Sequence, residues 1–364
     1  MICTLKKILK YSVLVLFVIL FIYQIFLLNN GKRLISYDNL SEIQIAKLLS
    51  NAKAENFKRI SNVEKICRYY NIGKFKTKNK ATVIYKEPPT PHYEIFYYDL
   101  KHKLSWCPVY KAGSSTWLYN FALLGGHTDE QINNSKLQLS HYVRNIFPPL
   151  TSWEAIRILP DTLKFVIIRH PFERILSAYR DKLENLTPDD KSESRFYYKK
   201  FGRKIVSKYR SGGNNTNTKF LLKPGQFKWD TNKSPIGIEP TFKEFVRYLI
   251  DTDLTTRADD HWIPFYLYCT PCTLTYDIIG KVETMLQDQL FIIHTAGLQN
   301  KIKPHWRHKT NPFNQTNSHR ISEIAKIYFT QLNKSDVKEL YEKYKLDFKL
   351  FQYDETEYYT YAVN

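Results

Sequence analysis

"LKFVIIRHPFERILSAYRDKLE", residues 163–184, decides the fold. Leu163 to Ile168 are apolar or β-branched apart from Lys164, the composition of a central strand, and the run ends at Arg169. Pro171 suits the first turn of a helix, where the N–H it lacks would have no intrahelical partner. Along that helix Phe172, Leu176, Tyr179 and Leu183 recur at spacings of four, three and four residues and mark a buried face. Arg169 at the carboxyl end of the strand and Ser177 about two helical turns on can both reach an anion beside the sheet edge, where open α/β sheets bind ligands. The competing reading pairs Arg169, Arg174 and Arg180 with Glu173, Asp181 and Glu184 on a solvated face.

The same strand-loop-helix pattern occurs upstream in "CPVYKAGSSTW", residues 107–117. Lys103 to Tyr110 has the length and composition of a strand, Gly113 permits a tight turn, and Ser114 or Ser115 can cap the helix that "STWLYNFALL" begins. This arrangement aims unpaired backbone N–H groups and the positive helix end at an anion. Lys111 adds a mobile cation, and Ser114, Ser115 and Thr116 add hydroxyl donors. The residue order differs from G-x-x-x-x-G-K-[ST], and alone the segment reads equally well as a polar turn with a capping serine. Two strand-helix units predict an α/β sandwich around a mainly parallel sheet.

The 364 residues are 43% hydrophobic and 15% aromatic, ample for a large core, which excludes a disordered chain. A net charge of +19, from 54 Lys and Arg against 35 Asp and Glu, calls for an anionic partner without naming it. Tyr11 to Leu28 forms an apolar run broken only by Ser12 and Gln24, which as a helix spans ~27 Å, close to the bilayer core. "LLNNGKR" offers no small-residue cleavage site, so the expectation is an uncleaved signal anchor. Lys6, Lys7 and Lys10 before the span favour a cytosolic tail of residues 1–10 and a luminal remainder. Residues 29–80 are polar and lysine-rich and read as a luminal stem or an early helix of the domain; the folded domain is placed at 81–364, with a long surface loop at 211–240.

Seven N-x-[ST] sequons, at Asn39, Asn133, Asn185, Asn214, Asn232, Asn314 and Asn333, are permissive of a secretory lumen. Beyond Cys3, the cysteines Cys67, Cys107, Cys269 and Cys272 form an even set able to make two disulfides in any of three connectivities. A zinc reading of "CTPC" lacks a second close pair, so no metal is expected. A luminal address also argues against nucleic acid.

At this point the chain resembles the Golgi carbohydrate sulfotransferases of the chondroitin/dermatan 4-O-sulfotransferase type. Their 5′-phosphosulfate loop is similar to "KAGSSTW", and their 3′-phosphate segment is similar to "RHPFERILSAYRDK". The similarity continues through "HWIPFYLYCTPCTLTYDIIGKVETM", residues 261–285, and "YKLDFKLFQY", residues 344–353. Ser114 departs from the Cys or Ala common in that loop. The resemblance implies a P-loop-like α/β fold, 3′-phosphoadenosine 5′-phosphosulfate (PAPS) as donor, no catalytic metal, and a glycan hydroxyl as acceptor. It also implies a single-pass type II protein of the Golgi membrane with a luminal catalytic domain. A glycosaminoglycan or glycoprotein glycan is the partner, with N-acetylgalactosamine 4-O the favoured position, and a homodimer is compatible with the chain.

Sulfuryl transfer needs in-line alignment, neutralisation of the leaving phosphate and a base for the acceptor proton. On the resemblance, Lys111 stabilises the leaving group, Ala112 to Thr116 cradle the 5′-phosphosulfate, Trp117 packs near it, and Arg169 and Ser177 hold the 3′-phosphate. Lys281 is a further donor contact, and His170 orders the loop beside the 3′-phosphate. Among ten histidines, His141 and His261 are the candidate bases, with His141 slightly preferred because it lies roughly where the related uronyl 2-O-sulfotransferases carry a basic histidine before the arginine segment. "RKIVSKYR" (203–210) and "KPHWRHK" (303–309) mix basic and aromatic residues, as a glycan channel or a plain solvated surface would. The rivals are a Golgi type II glycosyltransferase using Asp251-Thr252-Asp253 for a metal and nucleotide sugar, and a glycan-binding protein without catalysis.

Overall fold

The computed structural model describes residues 40–77, 85–88, 90–186, 193–210, 238–256, 258–307 and 323–364. The expected tail, the anchor at 11–28 and most of the loop at 211–240 lie outside the described residues. Among the described residues no helix is long and apolar enough to cross a membrane.

Four strands form one sheet in the order β1 (Tyr97–Asp99), β2 (Leu104–Cys107), β3 (Leu163–Ile168), β4 (Ile278–Lys281). β1 is antiparallel to β2, with Tyr97 opposite Trp106. β2, β3 and β4 are parallel, with Trp106 opposite Phe165 and Phe165 opposite Ile278. The mainly parallel α/β expectation therefore holds. The strand expected over Lys103–Tyr110 is shorter than the sequence suggested. Lys103 turns with φ 50°, and Pro108, which has no N–H for the ladder, follows Cys107 at the end of β2.

The helices that frame the sheet are α1 (Glu42–Tyr70), α2 (Ser114–Leu124), α3 (Leu139–Ile146), α4 (Pro171–Lys182), α5 (Phe242–Asp251), α6 (Met285–Thr295) and α7 (Lys334–Phe351). α2 follows β2, α4 follows β3, and a short 3-10 turn joins β4 to α6. All three parallel strands thus end at one edge, where Lys111, Arg169 and Lys281 emerge. Trp106, Trp117 and Phe165 pack between α2 and the sheet, with ring centroids of Trp117 and Phe165 4.5 Å apart. A second core joins Phe172, Ile175 and Tyr179 of α4 to Phe242 and Phe245 of α5 and Leu340 and Tyr344 of α7.

The domain boundary near residue 81 is corrected. α1 falls in the stretch read as a stem or an early helix of the domain, and it is the latter: it buries Ala52, Asn56, Arg59, Val63 and Cys67 against the domain. Asn56 donates from Nδ2 to the Asp277 carbonyl (2.8 Å) and accepts from the Ile279 N–H (2.9 Å). Arg59 donates to the Ile279 carbonyl (2.8 Å) and to Asp288 (2.9 Å). α1 thereby satisfies the open edge of β4, groups that would otherwise be left for another chain. A Cys67–Cys272 disulfide fixes its end, and a Cys107–Cys269 bridge ties the end of β2 to the same segment. These bridges choose one of the three connectivities, and they split the "CTPC" cysteines between two partners.

Candidate active site

The loop after β2 is built on two residues with positive φ, Lys111 at 68° and Gly113 at 76°. Left-handed backbone is uncommon for a lysine, and such strain persists only where the surroundings enforce it. Gly113 caps α2, and a Cβ there would lie 2.4 Å from Met285 Cε. Glycine thus lets the loop close against α6; the Thr116 N–H turns back onto the Gly113 carbonyl (3.1 Å), and the N–H groups of Ser114 and Ser115 are those without an intrahelical partner among the described residues. Ser114 is buried and Ser115 half-buried at this helix start. Thr116 and Trp117 turn inward. The Thr116 Oγ1 accepts the Arg307 N–H (3.3 Å), and Trp117 lies wholly in the core, where it supports the loop from beneath.

Lys111 is largely buried, and its Nζ lies 3.1 Å from Asp181 Oδ2. Burial pushes its ammonium down from the ordinary lysine range, and Asp181 opposes that shift. Lys182 reaches the same carboxylate oxygen at 3.0 Å and also binds Glu193. Burial resists ionisation of Asp181, but the two lysines outweigh it and hold the carboxyl down at about 2.

Arg169 follows β3 directly and joins the two loops. Its Nη1 donates to the Lys111 carbonyl (3.3 Å) and its Nη2 to Glu173 (2.9 Å). One part of the solvated-face reading is therefore present, in the Arg169–Glu173 and Arg180–Glu184 pairs. Arg174 departs from it. It is buried and donates to three carbonyls, those of Tyr110 (3.0 Å), Asp260 (2.9 Å) and Ile263 (2.5 Å). One guanidinium thus clamps the residue before Lys111 to the two sides of His261. Ser177 is half-buried on α4, two turns from Arg169.

His261 sits against the lysine loop, its ring stacked on Tyr110 with centroids 4.9 Å apart. Its Nδ1 lies 2.7 Å from Asp259 Oδ1, and the Tyr197 hydroxyl is 3.0 Å from the same nitrogen. His141 is exposed on α3, with no hydrogen bond or ion pair among the described residues. The structure therefore brings His261 to the Lys111 loop and leaves His141 outside that contact network.

Lys281, at the end of β4, is tied down: its Nζ donates to the Phe351 carbonyl (2.6 Å) and lies 4.0 Å above the Tyr353 ring. Burial lowers it to about 8. His170 is held between the Glu283 carboxylate, which accepts its N–H (2.8 Å), and the Asp354 carbonyl, 2.9 Å from Nε2.

Of the further site residues Asp181, Lys182, Arg174 and Asp259, the sequence reading took Asp181 and Arg174 only as members of a solvated face and did not point to Lys182 or Asp259. The first three lie inside the stretch quoted at the outset, and Asp181 stands two helical turns after Arg174, on the same face of α4. Asp259 is signalled only by its place two residues before His261. Lys111, Lys182 and Arg169 come together with the start of α2 at the carboxyl edge of the sheet, each paired with a carboxylate that a multiply charged phosphate-type ligand would compete with.

The sulfotransferase family profile matches residues 95–354. Carbohydrate sulfotransferase 9 of Homo sapiens is 29% identical over 261 residues, 71% of this chain and 52% of that protein. Carbohydrate sulfotransferase 14 of Danio rerio is 31% identical over 255 residues, 70% of this chain and 60% of that protein. Carbohydrate sulfotransferase 11 of Rattus norvegicus is 28% identical over 266 residues, 71% and 67% of the two chains. The chain spans roughly half to two thirds of the length of these relatives. No solved structure matches. The profile takes in all four strands, both anion-facing loops and the cysteine segment, and the chain belongs to the sulfotransferase family.

Proposed function

We propose that this chain is a carbohydrate sulfotransferase. It moves a sulfuryl group from PAPS to a glycan hydroxyl, with the 4-hydroxyl of N-acetylgalactosamine in chondroitin or dermatan as the acceptor. The observation that carries the reading is the pairing of Lys111 and Arg169 at the ends of adjacent parallel strands, with the Arg169 guanidinium on the Lys111 carbonyl. The names of the relatives, all carbohydrate sulfotransferases, support the acceptor class.

In this reading the acceptor oxygen attacks sulfur as the bond from sulfur to the 5′-phosphate oxygen breaks. That oxygen keeps the electron pair, and the Lys111 ammonium neutralises it in a recess where burial strengthens the interaction. The N–H groups of Gly113 to Ser115 and the two serine hydroxyls hold the 5′-phosphosulfate. Arg169 and Ser177 hold the 3′-phosphate, and a histidine takes the acceptor proton. The anchor at residues 11–28 holds the chain in the Golgi membrane with the domain luminal, an address that suits its two disulfides.

The Asp251-Thr252-Asp253 pattern gives the glycosyltransferase reading little support. Asp251 accepts from Lys208 (2.9 Å) and Tyr209 (2.8 Å), and Asp253 accepts from Thr255. The test is incubation of the purified full-length chain with radiolabelled PAPS and desulfated chondroitin, dermatan and other glycans. Transfer that persists in chelator and is lost in Lys111→Ala supports the proposal. Manganese-dependent transfer from a sugar nucleotide, or glycan binding with no transfer from any donor, refutes it.

A further inference from the structure

We infer that Asp259 is the positioning residue of a His261 base: it holds the ring so that Nε2 is the nitrogen that takes the acceptor proton. The inference rests on the sulfotransferase reading and extends it to a residue outside both donor-binding segments.

The geometry begins with Asp259 Oδ1. It accepts the His261 backbone N–H at 3.2 Å and lies 2.7 Å from His261 Nδ1. Two contacts from one oxygen to one residue fix both the backbone and the ring, and a carboxylate that close accepts only if Nδ1 carries the hydrogen. The Tyr197 hydroxyl, 3.4 Å from the same oxygen, closes the Nδ1 side of the ring. Lys200 donates to Asp259 Oδ2 at 3.1 Å, so both carboxylate oxygens are engaged. Tyr110 covers one ring face. What remains is Nε2, which has no hydrogen-bond partner among the described residues yet is not sealed off. An oriented imidazole with a fixed Nδ1–H and an open Nε2 is the arrangement that general-base catalysis requires.

The proton balance is simple. As the acceptor O–S bond forms, the O–H proton passes to Nε2; the sulfur-to-phosphate oxygen bond breaks, and its electron pair stays on the leaving phosphate beside Lys111. The imidazolium is stabilised by Asp259 and returns its proton to solvent.

The charged groups around His261 set when it can act. Asp259 and Asp260 come from its own segment, Lys111 and the Tyr110 ring from the loop after β2, Lys182 from α4, and Tyr197 and Lys200 from residues 197–200. Burial pushes the imidazole below its ordinary range, Lys182 and Lys111 add to that push, and Asp259 opposes it. The ring is therefore predominantly neutral, and able to accept a proton, near neutral pH.

The test uses the full-length chain labelled with 15N-histidine, with Asp259→Asn, Asp259→Glu, His261→Ala and His141→Ala variants. Long-range nitrogen–proton NMR reads the tautomer and titration of His261 without turnover. The expected results are an Nδ1–H tautomer in the wild type and a titration midpoint about one unit lower in Asp259→Asn. For transfer, kcat falls about 10²-fold or more in Asp259→Asn and His261→Ala. The Kd for adenosine 3′,5′-bisphosphate stays within about twofold as a check on folding, Asp259→Glu recovers part of kcat, and His141→Ala behaves as wild type. An Nε2–H tautomer in the wild type overturns the inference, as does kcat within about threefold of wild type in either Asp259→Asn or His261→Ala. A wild-type chain that binds the bisphosphate but sulfates no glycan defeats the sulfotransferase reading and this inference with it, whereas the tautomer result alone defeats only the inference.

Discussion

Lys111 Nζ lies 3.1 Å from Asp181 Oδ2, so the cation of the first loop is paired with a carboxylate near the end of the helix that follows the second. The same oxygen serves Lys182. An anionic donor entering the recess competes with Asp181 for Lys111. Asp181→Asn removes that competitor while keeping the side-chain volume. Adenosine 3′,5′-bisphosphate is expected to bind the variant up to ~10-fold more tightly by calorimetry, since a unit charge pair near a protein surface is worth kcal/mol rather than tenths. Unchanged or weaker binding with an intact circular dichroism spectrum refutes the competition.

Lys111→Ala acts in the other direction. The leaving oxygen loses its cation, and kcat is expected to fall about 10²–10³-fold, as when a single preorganised donor is removed from a transition-state site. Asp181 keeps Lys182 as a partner, so no unpaired buried charge remains and the thermal midpoint is expected to hold or rise. A variant that loses activity only together with several degrees of stability shows that the lysine is structural.

The stretch from Leu163 to Glu184 was legible because period, proline and apolar spacing agree there, and the structure places β3 and α4 within it. Arg174 was not legible, because nothing local tells that its three donors meet the carbonyls of Tyr110, Asp260 and Ile263, which are remote in sequence. Whether the stretch holding α1 is a stem or an early helix of the domain stays open in the sequence for a related reason. Asn56 and Arg59 look like solvated residues until β4 presents the edge they complete. The disulfide pairing and the preference between His141 and His261 depended on which loops approach the Lys111 segment. That is tertiary information which no local pattern carries.

Gly113 offers a test of the loop itself. At φ 76° an alanine adopts the left-handed conformation at a cost of about 1–2 kcal/mol, and its Cβ would sit 2.4 Å from Met285 Cε. The methionine end can move, but the backbone strain remains. Gly113→Ala is expected to lower unfolding free energy by about that amount and weaken bisphosphate binding, because the first turn of α2 must shift to relieve it. Unaltered denaturation midpoint and Kd would show that the turn does not depend on glycine.

The two bridges are predicted to differ in effect. Cys67–Cys272 joins residues 205 apart and secures α1 on the β4 side; Cys107–Cys269 joins residues 162 apart and secures the end of β2 just before the lysine loop. Replacing either pair with serine is expected to cost about 2–5 kcal/mol of stability. Only the loss of Cys107–Cys269 should also raise the Kd for the bisphosphate at a temperature where both variants remain folded. Equal Kd values for the two variants would refute that local role.

Asp347 predicts a pH dependence whose sign differs from the usual carboxylate. It is wholly buried, and burial outweighs the N–H groups of Phe265 (2.7 Å) and Tyr266 (2.9 Å) that it accepts, raising it to about 7. Between pH 4 and 7 the folded chain holds a proton here that the unfolded chain has released. The slope of unfolding free energy with pH is therefore negative: this contribution is present at low pH and lost as pH rises toward 7. Asp181 and Asp259, both held at about 2, act with the opposite sign but below this window, as their stabilisation is lost when pH falls under 4. His261 and His170, both lowered by burial, favour the folded state as pH rises toward the ordinary imidazole range and partly mask the trend. Comparison with Asp347→Asn removes that masking, because every other group is common to both chains. Chemical denaturation at pH 5 and pH 7.5 is expected to show wild type losing stability relative to the variant on going to the higher pH. An equal change in both chains refutes a protonated Asp347.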